Sequence, residues 1–84
     1  MDKRISVETP GNMHGATAYY FLEKLLESGK GPGMEGYVDF RLCGLTKRSV
    51  ELECSDEDCP DVERFTKGYL VQKVEDIRKI AFLL

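Results

Sequence analysis

The sequence is poor in several things that a reactive site usually needs. It holds one histidine and three cysteines among 84 residues. An odd and small cysteine count excludes a disulfide framework and suits a reducing compartment, so the cytoplasm is the expected location. One histidine and scattered surface carboxylates do not assemble a nucleophile, a base and an orienting group, so an enzyme is not expected. No apolar run has the length of a membrane span, and Met1-Asp2-Lys3-Arg4-Ile5 lacks the apolar centre of a signal peptide. A positive balance is missing too. Twelve basic residues against fifteen acidic ones leave a net charge of −3, which argues against nucleic acid or an anionic membrane as the main partner. Internal repeats and a linker between halves are also absent, so residues 1–84 are expected to form a single domain.

What the chain does have is enough apolar material for one core. It is 42% hydrophobic with four Phe and four Tyr, which excludes global disorder. The clearest pattern runs from Tyr37 to Cys54. Val38, Phe40 and Leu42 alternate with polar neighbours on one arm, and Val50, Leu52 and Cys54 alternate with Ser49, Glu51 and Glu53 on the other. Side chains on a strand point alternately to opposite faces, so this period of two predicts a half-buried antiparallel hairpin. Pairing Leu42 with Val50, Phe40 with Leu52 and Val38 with Cys54 leaves a loop from Gly44 to Arg48 and sets Arg41 opposite Glu51.

The rest is read around that hairpin. Lys3 to Thr9 predicts a short strand with Ile5 and Val7 inward. Pro10-Gly11-Asn12 predicts a turn, with Asn12 capping a helix from about Met13 to Ser28 whose stripe is Ala18, Phe21, Leu22 and Leu25. Gly29 suits a C-terminal cap, and Lys30 to Gly36 is too rich in Gly and Pro for regular structure. Near the end, Val74, Ile77, Ala81 and Leu84 keep helical spacing and predict a helix over Gln72 to Leu83. It extends back to Pro60 if Gly68 is tolerated; the alternatives are a helix over 61–67 followed by a strand at Tyr69 to Val71, or a last strand at Ile80 to Leu84. The expected fold is therefore α+β in β-α-β-β-α order, a three-stranded mixed sheet with two helices on one face. In it the first helix crosses over between two parallel strands. A fourth strand would make it ferredoxin-like.

Four residue sets invite chemistry. Cys54 and Cys59 have C-x4-C spacing, and Cys43 with His14 would complete a Cys3His zinc set. The hairpin register puts Cys43 and Cys54 five strand residues apart, about 17 Å, so neither a metal nor another cofactor is expected. Without metal, Cys54 reads as a small core residue and a Cys54–Cys59 disulfide is sterically feasible. Strand, turn and His14 at a helix start resemble the beginning of the histidine-containing phosphocarrier family. The chain nevertheless reads His14-Gly15-Ala16-Thr17 where that family has His-Ala-Arg-Pro. The arginine that would hold a phosphoryl group is missing, so the phosphocarrier function is not implied. The loop Gly29-Lys30-Gly31-Pro32-Gly33 closes a helix and precedes a strand, the reverse of a phosphate-binding P-loop.

Two surfaces point to partners instead. Glu51, Glu53, Asp56, Glu57, Asp58, Asp61 and Glu63 put seven of the fifteen acids into thirteen residues, and without them the chain would carry +4. Such a segment suits electrostatic docking of a basic protein surface. Ile80, Phe82, Leu83 and Leu84 make the C-terminus apolar all round a helical turn, which suits a contact with a second copy or another protein. The expected function is a small non-enzymatic binding or regulatory protein working through protein contacts. The alternative is a carrier of small ligands or anions at the His14 helix start and the Gly29–Gly36 loop.

Overall fold

The computed structural model describes residues 2–28 and 40–83, with side chains through Ile80. The order is β1 (Asp2–Glu8), α1 (Gly15–Glu27), β2 (Phe40–Leu45), β3 (Ser49–Ser55) and α2 (Cys59–Leu83). The expected β-α-β-β-α order and α+β class are observed, and the sheet has three strands.

The sheet is antiparallel throughout, not mixed. Its strand order is β1-β3-β2, and β3 pairs antiparallel with both neighbours. β1 and β2 run in the same direction, as a crossover helix requires, but β3 lies between them. Charge and apolar pattern account for the insertion. With β3 central, Glu53 is flanked by Arg4 and Arg41 on one face, while Leu52 is flanked by Ile5 and Leu42 on the other. Both rows are favourable cross-strand sets. The charged strand Asp2-Lys3-Arg4 takes an edge, where polar residues discourage unwanted pairing.

The hairpin register also differs from the alternation-based expectation. Phe40 opposes Cys54, Arg41 opposes Glu53 and Leu42 opposes Leu52. The shift is two residues, so every side chain up to Leu42 keeps its expected face. A tighter turn moves the pairing by three positions, so that Gly44 opposes Glu51 and Leu45 opposes Val50, and a one-residue β-bulge between Leu42 and Gly44 takes one of them back. The loop shortens to 46–48, closed by Thr46 N–H to Ser49 O at 2.8 Å and a hydroxyl contact of 2.6 Å between the same residues. Two more ladder positions are gained in this way.

That short turn receives the β1–α1 connection. Thr9 N–H and the Thr9 hydroxyl both donate to Arg48 O, and Gly15 N–H donates to Lys47 O at 2.9 Å. Gly11 has φ +55°, the left-handed conformation that lets the chain reverse at Pro10 O to Met13 N–H. At Gly15 the approach of backbone to backbone is closest. A Cβ there would lie 1.7 Å from the Thr46 carbonyl oxygen and 2.8 Å from that of Ser49.

Ala18 and Leu22 of α1, Val62 and Leu70 of α2, and Val7, Phe40, Val50, Leu52, Cys54 and Cys59 form one buried core. The one buried polar residue among those described, Thr66, turns its hydroxyl to Val62 O at 2.8 Å inside its own helix. α2 is one continuous helix through Gly68, with Pro60 in its first turn, so residues 69–71 and 80–83 are helical rather than strand. The expected C-terminal cap at Gly29, the loop to Gly36 and the start of the first hairpin arm at Tyr37 and Val38 lie outside the described residues.

Two glycines predict opposite outcomes for one substitution. Gly15→Ala should lower unfolding free energy by about 3 kcal/mol, because neither carbonyl can retreat without breaking the turn. Gly68 is exposed and an added Cβ meets nothing within 4 Å, so Gly68→Ala should raise stability by about 1 kcal/mol through helix propensity. Urea unfolding followed by circular dichroism checks both; equal effects of one sign would contradict the docking of Gly15.

Candidate functional site

His14 is the N-cap of α1 rather than a residue inside it, and its Nδ1 accepts the Ala16 backbone N–H at 3.0 Å. The expected cap, Asn12, lies two residues earlier in the turn. The imidazole is committed to a structural bond on one nitrogen. It lines, with Asn12, Met13, Thr17, Val74, Ile77 and Arg78, a groove of about 360 Å³ between the start of α1 and the later part of α2. Deeper along the same helix pair, Lys73 Nζ lies 5.7 Å from the Phe21 ring centroid and 5.3 Å from that of Tyr69. That cation holds the helices together where apolar contact thins out.

The acidic segment is not one continuous face. Glu51 and Glu53 lie on the polar face of the central strand, Asp56 to Asp58 form the β3–α2 turn, and Asp61 and Glu63 ride the first turns of α2. Four of the seven acids have basic partners within the chain. Glu53 pairs with Arg41, Asp56 with Lys3 at 3.9 Å, Asp61 with Arg64 at 2.6 Å and Glu63 with Lys67 at 3.7 Å. Asp58 accepts the Ser55 hydroxyl at 2.8 Å, and its carbonyl takes the Val62 N–H that begins α2. Acids at a helix start also stabilise it against its own dipole. The polar sheet face carries no aromatic side chain among the described residues, so it offers no stacking platform for bases.

The cysteines fall into two environments. Cys43 is half-buried at the bulge, closer in level to Cys54 than the expected register placed it: about 9 Å along the strand. Among the described residues, no three His, Cys, Asp or Glu side chains gather as a metal ion would require. Cys54 and Cys59 are buried with their sulfurs 2.8 Å apart. Burial first, then the hydrogen bond and charge of Cys59, push the Cys54 thiol from its ordinary 9.0 up to about 12. A cleft of about 430 Å³ opens beside it, lined by Asp2, Phe40, Arg41, Glu53, Cys54, Ser55 and Asp58. Arg41 there is already engaged by Glu53 and lies 3.9 Å from Asp2.

α2 has a different character along its length. Its 25 residues span about 37 Å, while a seven-residue strand spans about 24 Å. The helix therefore outruns the sheet. Cys59, Val62, Thr66 and Leu70 are buried, and no described side chain beyond Leu70 is. The apolar stripe continues regardless through half-buried Val74, Ile77 at 46% exposure and Ile80 at 60%. The side chains of Phe82, Leu83 and Leu84, expected as part of a contact, lie outside those described. No helix among the described residues is long and apolar enough to cross a membrane.

Comparison with protein-family models, with curated proteins and with solved structures found no match for this chain. Sequence periodicity had flagged the end of α2 but could not show that the sheet stops short of it. His14 as a cap was likewise hidden, since it depends on the turn geometry, whereas the spacing of Cys54 and Cys59 had already made their approach feasible.

Thiol chemistry separates these environments. Cys43 should react with an alkylating reagent near neutral pH well before Cys54, as read by mass spectrometry of the digested protein. The raised Cys54 value adds a pH effect. The unfolded chain releases that proton first, so stability should fall as pH rises from about 9 towards about 12. Wild type should lose more stability over that interval than Cys54→Ala; parallel losses would contradict the assignment.

Proposed function

We propose that this chain is a small non-enzymatic binding protein whose working contact is the projecting end of α2, and that this end seats a second copy of the chain. The observation that carries the reading is the continuation of the buried stripe beyond Leu70, where Val74 and Ile77 edge the groove beside the start of α1 but stay partly exposed and Ile80 is exposed. A contiguous apolar stripe of this kind on a small domain marks an interaction surface.

A second copy suits the stripe as occupant, because Val74, Ile77 and Ile80 follow one another in steps of about 60° round the helix. In an antiparallel helix pair with its twofold axis at Ile77, the Ile77 side chains of the two copies meet and Val74 of each stands at the level of Ile80 of the other. The isologous arrangement is the commonest route to a soluble homodimer.

The acidic segment plays the lesser part in this reading. Four of its seven carboxylates already have partners in the chain, leaving a softened negative field at the β3–α2 end that would speed approach of a basic surface.

Substitution within the stripe tests the contact without touching the core. A variant with Ile77→Lys and Ile80→Lys, both exposed in the single chain, should sediment as a monomer and keep the circular dichroism of wild type, which should sediment as a dimer. A monomeric wild type across the accessible concentration range, or a dimer indifferent to the variant, would overturn the proposal.

A further inference from the structure

We propose that Cys54 and Cys59 are a peroxide-sensitive pair that closes into a reversible disulfide at the corner between β3 and α2. The two sulfurs stand 2.8 Å apart, within about 0.8 Å of the length of an S–S bond. Both belong to elements the core already holds. Cys54 ends the buried stripe of the central strand, opposite Phe40, and Cys59 is the first residue of α2. The turn between them is held by Asp58 N–H to Ser55 O at 3.0 Å and by the Ser55 hydroxyl on Asp58 at 2.8 Å. Closure therefore asks little movement of the backbone.

Access follows from the same corner. The cleft lined by Phe40, Cys54, Ser55 and Asp58 brings a molecule the size of peroxide up to Cys54, whose sulfur touches that of Cys59. Both residues are buried, Cys59 at 7% exposure and Cys54 at 3%. One sulfur of the pair, as its thiolate, attacks one peroxide oxygen and breaks the O–O bond, giving a sulfenic acid and a hydroxide that takes up the proton this thiol released. The other sulfur then attacks the sulfenic sulfur and displaces its hydroxyl, which leaves as water with that second thiol's proton. Two thiols are oxidised by two electrons in total, and one peroxide becomes two waters. A dithiol reductant reverses the bond by exchange.

The consequence is mechanical. A covalent link would join the central strand to the base of the helix whose far end projects from the fold. This inference stands independently of the dimer contact, since it concerns the opposite end of α2.

Trypsin places the test on one fragment, because residues 49–64 lie between Arg48 and Arg64 and contain both cysteines. After hydrogen peroxide, folded wild-type protein should yield this peptide two hydrogens lighter and closed to alkylation, while Cys43 still accepts the reagent. Dithiothreitol should restore both thiols. Amide exchange in the first turns of α2 should be slower in the oxidised form. A fragment that keeps two alkylatable thiols, gains oxygen atoms instead of losing hydrogens, or yields only a Cys43-linked dimer would overturn the proposal. Unchanged amide exchange after closure would overturn the link's effect on α2.

Discussion

The central position of β3 is the constraint on which the molecule rests. Hydrogen-bonded on both edges, it turns Val50, Leu52 and Cys54 inward, and all three are buried. Side chains from both helices reach that stripe, Ala18 and Leu22 from one and Val62 and Leu70 from the other. Its outward row sets Glu53 between Arg4 and Arg41. Shifting β3 by one residue would exchange the two faces and lose both the core and the charge row. The tight turn before β3 extends this control to the first helix, since its carbonyls take the Gly15 and Thr9 amides. Any side chain at Gly15 would stand inside that turn.

Much of this was legible in the residues themselves. Period-two alternation located both hairpin arms and assigned their faces, and the Ala18–Leu22 and Val74–Ile77 spacings located both helices. Strand order was not legible, because alternation shows which face a strand buries and not which edge its neighbour takes. The charge row Arg4–Glu53–Arg41 held that information, but only as a three-strand comparison. The bulge at Cys43 was hidden for a related reason. A two-residue change of register preserves every face up to Leu42, so the pattern fits both registers equally well. The cap at His14 was masked by the more usual capping residue Asn12 close by.

The candidate surfaces divide in a similar way. Seven acids in thirteen residues were conspicuous in sequence, yet folding spreads them over a sheet face, a turn and a helix, with local bases against four. The apolar C-terminus pointed to a contact, but its importance comes from a length mismatch visible only in three dimensions. A helix of about 37 Å on strands of about 24 Å must project. At its base stand Cys54 and Cys59, and at its far end Ile77 and Ile80 face solvent. One helix thus links a thiol pair in the core to an exposed apolar end.

The most direct test of that account is an isotope-filtered NOE measurement on a mixture of labelled and unlabelled chains. The antiparallel contact predicts cross-peaks between the Ile77 methyl groups of the two copies, accompanied by peaks from Ile80 to Val74. Intermolecular peaks confined to the polar sheet face or to the β3–α2 turn would contradict it, as would a concentrated sample with none at all.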